Sequence, residues 1–126
     1  MSALTPIPLH PMTDRVTEQY LKICADQPGV GAGCHHYQVR EICPDGERTI
    51  LDVKFQHGGI AEVGVNGVLT GTLLQILIHH LSGFQKGEFA SRETALVITK
   101  LEEALQWSKQ RELERAARGV LGQVKK

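Results

Sequence analysis

Residues 73–105, "LLQILIHHLSGFQKGEFASRETALVITKLEEAL", carry the reading on which the fold depends. A helix should begin near Thr70 or Thr72, either of which can cap it. Leu73, Leu74, Ile76, Leu77, Ile78 and Leu81 then cover more than one helical face. A helix on a two-layer monomer needs only a stripe about 100° wide, so the excess predicts burial on two sides, one of them against another subunit. "SGFQKGEFA" (82–90) has the length and glycine content of a link between antiparallel helices. Ser91, with Thr94 a turn later, starts a last helix running to Arg118, with Gly119 as its stop. At 1.5 Å per residue this helix is about 40 Å long. Its packing stripe, Leu101, Ala104, Leu105 and Ser108, almost ends there, and only Leu113 adds a large apolar side chain before Arg118.

Upstream the period changes to two. "HYQVREI" alternates, "PDGE" is turn chemistry, "RTILDVKF" runs back, "QHGG" turns again and "IAEVGV" supplies a third strand. The spacing thus predicts a three-stranded antiparallel meander with strands at about 36–43, 48–55 and 60–65, closed by Asn66 and Gly67. "TDRVTEQYLKICADQ" offers Thr13 or Asp14 as a cap and Val16, Tyr20, Ile23 and Cys24 at helical spacing, which predicts a short helix over 14–25. Prolines 6, 8 and 11 make residues 1–12 an extended arm, and "PGVGAG" (28–33) is a flexible connection. The fold class is α+β: an antiparallel meander followed by a long two-helix antiparallel hairpin, homo-oligomeric, with 13–126 as a single domain.

Composition narrows the function. The 126 residues hold 14 basic and 14 acidic side chains, so the net charge is zero, which argues against a general nucleic-acid binder living on counterion release. No apolar run reaches the roughly 18 residues of a membrane span. "MSALTPIPLHPM" lacks the features of a signal peptide, and three cysteines suit a reducing compartment; the expected location is the cytoplasm. "CHH" (34–36) and "HH" (79–80) invite a metal, but the cysteines are not paired at ligand spacing and adjacent helical histidines diverge, so no metal is expected. "GVGAG" follows a helix and precedes a strand, the reverse of a phosphate loop. Neither a nucleophile elbow nor a carboxylate pair is singled out.

That leaves the basic end. From Lys109 to Lys126 there are six basic residues against Glu112 and Glu114. Arg111, Arg115 and Arg118 lie at i, i+4 and i+7, on one helical face. Basic residues in a last turn also complement the helix dipole, and Arg118 is assigned no more than that. The choice of arginine over lysine matters because a planar guanidinium grips phosphate bidentately.

Four segments in order, "KFQHGGIAEVGVNGV" (54–68), "GFQKGEFASRETAL" (83–96), "TKLEEAL" (99–105) and "RELERAARGV" (111–120), resemble the phage-encoded Thoeris anti-defence sponge family. The resemblance spans about residues 53–120. It implies a protein that is not an enzyme and needs no cofactor. Such proteins bind glycocyclic ADP-ribose immune signals without cleaving them, and some also hold cyclic di- or trinucleotides of CBASS-type immunity at a second site. It further implies dimers joined into hexamers in the cytoplasm of an infected bacterium, with the ligand at the dimer interface. Carried onto this chain, the stacking residue is Phe84 and the gripping arginines are Arg111 and Arg115. Thr94 stands where the family often has asparagine, so an amide's paired donor and acceptor are replaced by one hydroxyl. Arg92 matches an arginine of the second, cyclic-oligonucleotide site.

The residues agree with this on their own terms. A pyrophosphate and an adenine call for guanidinium forks and an aromatic plate. Arg111 lies 27 residues beyond Phe84, near the far end of the rod, so it is not expected to touch Phe84 of its own chain, and an antiparallel partner could bring the two together. Three rivals remain. They are a protein–protein interaction module docking through its basic C-terminal helix, a metal-dependent nucleotide hydrolase, and a nucleic-acid binder.

Overall fold

The computed structural model describes residues 3–29, 31 and 33–120, and it divides the chain into two compact units. The first is an antiparallel sheet of order β1-β2-β3-β4, formed by β1 (Thr5–Pro6), β2 (Leu21–Ala25), β3 (His36–Cys43) and β4 (Gly46–Lys54), with α1 (Arg15–Tyr20) alongside. The second contains α2 (Ile60–Val63), α3 (Thr70–Phe84) and α4 (Arg92–Ala117). The α+β class and the order of sheet before helical hairpin match the sequence reading. Val30, Ala32 and the tail with Lys125 and Lys126 lie outside the described residues, as do the first two residues of the arm.

The sheet departs from expectation in three places. The helix expected over 14–25 stops at Tyr20. Asp14 caps it, its carboxylate accepting from the Thr17 N–H at 2.7 Å, but six residues make a helix too short to persist alone. Leu21–Ala25 instead pair with β3, Ile23 opposite Val39 and Ala25 opposite Tyr37. Cys24 and Ala25 are the buried hydrophobic residues of the described chain, so long-range pairing outweighs the local helical spacing. The arm also contributes a strand, where Thr5 and Pro6 lie opposite Ala25 and Cys24. Proline is tolerated because β1 is an edge strand, and the Ile7 N–H continues the ladder to Ile23 O at 2.9 Å.

The third departure is at 60–65, where α2 replaces the expected strand. Gly59 precedes it and Gly64, at φ 78°, ends it, a conformation open to glycine and costly for other residues. Asn66 then acts as a staple. Its Oδ1 accepts from His57 N–H at 2.8 Å and its Nδ2 donates to His57 O at 2.7 Å. Next to it, a Cβ on Gly67 would stand 2.4 Å from the Phe55 carbonyl carbon. Glycine is required there by steric exclusion. The meander is therefore β2-β3-β4, one strand earlier than the sequence suggests.

In the second unit, Ser91 caps α4, its Oγ accepting from Thr94 N–H at 3.1 Å. Gly119, at φ 73°, follows the other end, and Val120 N–H closes back on Arg115 O at 3.0 Å. Helix α3 begins at Thr70 with Leu69 in the cap position; Thr72 contributes by accepting the Leu69 N–H on its hydroxyl at 3.3 Å. The half-buried residues Leu74, Ile78 and Leu81 on α3, and Thr94, Ile98, Leu101, Leu105 and Ser108 on α4, alternate at three and four residues. That spacing is the seam of an antiparallel helix pair. A Cβ on Gly71 would sit 3.4 Å from Leu105 Cδ1, so α3 and α4 are in van der Waals contact range at the open end. None of the described helices is long and apolar enough to cross a membrane.

Candidate functional site

The hairpin has two chemically distinct ends. At the link, Gln85 clamps the start of α4: its Nε2 donates to Ser91 O at 3.0 Å and its Oε1 accepts the Ser91 N–H at 2.9 Å. Phe84, the last residue of α3, is 46% exposed and meets His80 edge-on, with ring centroids 5.2 Å apart. This aromatic is held at the surface, where a flat partner can reach it. Thr94 is half-buried, and its hydroxyl lies 2.9 Å from Ser91 Oγ. That hydroxyl is already engaged with the helix cap. Arg92, the first residue of α4, is exposed beside it.

At the open end, Gly71 is level with Leu105 and Ser108, so α4 continues past the start of α3 as a single overhanging helix. A hollow at this step is lined by Leu69, Thr72, Gln75, Leu105, Ser108 and Lys109 among others. The overhang carries the arginines, and the structure separates their roles. Arg118 pairs with Glu114, Nε to Oε1 at 3.2 Å, and Lys109 pairs with Glu112 at 2.9 Å. Arg115 is half-buried and donates from Nη2 to Val120 O at 3.1 Å. Arg111 is exposed, and among the described residues it has neither hydrogen bond nor ion pair. A guanidinium fork without an acid is the group that an incoming phosphate would engage.

Phe84 and Arg111 are not brought together within one chain. Arg111 stands nineteen residues beyond Arg92 on a continuous helix, about 28 Å along its axis, while Phe84 adjoins the link. The reading of the sequence that a single chain cannot join them follows from this geometry.

Other chemistry is sparse. His35 and His57 stack with centroids 4.2 Å apart, beside Asp26, whose Oδ1 accepts the His35 N–H at 2.9 Å. That bond holds the Asp26 carboxyl below its ordinary value. Among the described residues, no group of three or more His, Cys, Asp or Glu is arranged to hold a metal ion. Desolvation pushes the Cys43 thiol up, away from the thiolate that nucleophilic chemistry needs. Two groups escaped the sequence reading: Gln85, whose spacing from Ser91 is a turn signal, and Trp107, which is 68% exposed one helical turn before Arg111.

A model of the Acb2/Tad1 hairpin domain matches residues 47–111. That range takes in Phe84, Arg92, Thr94 and Arg111 and stops before Arg115. Over 73 residues, 58% of this chain, the sequence is 49% identical to Thoeris anti-defense 1 of Bacillus phage SBSphiJ7. The aligned part is 51% of that relative, so the chain matches about half of its length.

Proposed function

Because the chain belongs to the Acb2/Tad1 hairpin-domain family, we propose that it is a phage anti-defence protein that binds and sequesters a nucleotide immune signal without cleaving it. The ligand is glycocyclic ADP-ribose, held between two copies of the chain in the cytoplasm of the infected host. Arg111 and Arg115 of one copy grip the pyrophosphate, and Phe84 of the other stacks on the adenine. Thr94 stands at the edge of that site, its hydroxyl shared with the Ser91 cap, so the base or ribose contact there is weaker than an asparagine would make. A second site around Arg92 takes cyclic di- or trinucleotides.

The observation that carries this reading is Arg111, an exposed guanidinium with no partner among the described residues, on an overhang with little apolar cover. Assembly is supported by the apolar residues that the second unit leaves open. Leu69, Ile76, Leu77, Leu96 and Val97 are between 46% and 58% exposed. Sequestration needs tight, charge-matched contacts and no positioned base or nucleophile. The rival reading, a module docking a protein through the basic helix end, has less to stand on. Lys109 and Arg118 are each neutralised by a neighbouring glutamate.

The test is calorimetric titration and thermal unfolding with glycocyclic ADP-ribose, on wild type and on Arg111→Ala with Arg115→Ala. Wild type should bind saturably and melt higher with ligand. The double variant should lose at least 2 kcal/mol of binding, roughly 30-fold, as removal of desolvated charge contacts does. Ligand released by heat should be chemically intact. A folded wild type that binds no nucleotide would sink the proposal and favour the docking rival, and cleaved ligand would favour a hydrolase.

A further inference from the structure

Trp107 is the single tryptophan of the chain, and its place on α4 has no structural explanation. The seam of the helix pair runs through Ile98, Leu101, Leu105 and Ser108. At 100° per residue, Trp107 lies roughly 140° around the axis from that seam. Its indole is 68% exposed, and among the described residues it has neither a ring contact nor a hydrogen bond. A large aromatic left this open at a position that packing does not require indicates an occupant from outside the chain.

The surroundings indicate the occupant's chemistry. Trp107 and Arg111 are at i and i+4, which puts their Cβ atoms about 6 Å apart on one side of the helix. Arg111 is the guanidinium without a partner. Gln106 and Gln110 share a shallow surface hollow with Trp107 and Glu103, and their amides present donors and acceptors together. A flat apolar plate with amide groups on one side and an unengaged phosphate fork one turn away on the other fit a nucleotide, base on the indole and phosphate on the arginine. A protein surface would more often meet such a tryptophan within an apolar patch, whereas Glu103, Gln106 and Gln110 surround this one with polar groups.

We infer that Trp107 is a second base-stacking residue of the nucleotide site, closing on the face of the purine away from Phe84. The inference rests on the proposed function and adds to it the residue that sets preference for a purine-bearing ligand over bare phosphates. Stacking on an aromatic side chain changes affinity by roughly 5- to 150-fold on alanine substitution.

The lone tryptophan is also the reporter. Its fluorescence would be followed while wild-type protein is titrated with glycocyclic ADP-ribose and, separately, with inorganic pyrophosphate, which has no base. Binding of the first should quench emission; pyrophosphate should leave it almost unchanged. By calorimetry, Trp107→Ala should bind glycocyclic ADP-ribose at least 5-fold more weakly and Trp107→Phe should recover most of the loss. Both should match wild type for pyrophosphate. If Trp107→Ala binds glycocyclic ADP-ribose like wild type, the inference fails and the sponge reading survives. If wild type binds neither compound, both fail. If Trp107→Ala changes the sedimentation mass in the absence of ligand, the indole covers a subunit contact and the inference is overturned.

Discussion

Asp26 shows how a single side chain ties two parts of the sheet unit together. Its carboxylate accepts the His35 N–H, and the Asp26 N–H donates to His36 O at 3.0 Å. The first of these bonds is the largest cause holding its carboxyl below the ordinary 3.8. The carboxyls of Asp14, Glu47 and Asp52 are lowered too, chiefly by hydrogen bonds from Thr17, Lys22 and Gln38 respectively. A folded-state value below the unfolded one means that the unfolded chain binds more protons in acid. Their contribution to stability is therefore full above about pH 5 and is lost as pH falls through the depressed values. Melting followed by circular dichroism from pH 7 to pH 2.5 should show this acid limb. Asp26→Asn keeps an oxygen for His35 but cannot titrate, so its melting temperature should vary less below pH 4. An acid limb unchanged in that variant would remove Asp26 from the account.

At the scale of elements, the start of α4 joins stability to the site. Ser91 supplies the cap for Thr94 N–H while Gln85 holds the Ser91 backbone. Ser91→Ala should cost about 0.5–2 kcal/mol, as loss of a side-chain cap does, measured by urea unfolding. The same substitution frees the Thr94 hydroxyl, which lies 2.9 Å from Ser91 Oγ. No loss of stability would show that Gln85 alone secures the helix start. The other decisive element is β4, whose register against β3 shifts between Val39 and Arg40. Val39 lies opposite Leu51 and Arg40 opposite Thr49, so Ile50 is the extra residue of a bulge. Ile50 is 53% exposed, as expected for a residue outside the ladder.

At the scale of the whole molecule the question is what covers the apolar residues. At the cap of α3 and along it, Leu69, Ile76 and Phe84 lie on the side away from the Leu74–Ile78–Leu81 seam and are each 46–58% exposed. The sequence reading expected excess apolar surface over residues 73–81, and there Ile76 and Leu77 are 58% and 46% exposed in the single chain. Sedimentation equilibrium at micromolar concentration should give a mass above the 13.9 kDa of one chain. Ile76→Lys should shift that mass toward a single chain and, because the proposed site is shared between copies, weaken glycocyclic ADP-ribose binding as well. A wild type that sediments at 13.9 kDa would remove the basis for a shared site.

The sequence by itself determined those features whose causes lie within a few residues. The cap at Ser91, the stop at Gly119, the turn before Gly46 and the two-helix hairpin all follow from local chemistry and from apolar periodicity. The arginines at one end and Phe84 at the other were legible for the same reason, since helical rise converts sequence distance into length. Only the tertiary structure decided the rest. Leu21–Ala25 have helical spacing yet become a strand, because β3 satisfies their backbone groups and buries Cys24 and Ala25. Residues 60–63 alternate like a strand yet turn as a helix between Gly59 and Gly64. The difference in engagement between Arg111 and Arg115, identical in type and one turn apart, was also invisible in one dimension. It depends on where the chain folds back at Val120 to offer Arg115 a carbonyl, a contact in space that no periodicity encodes.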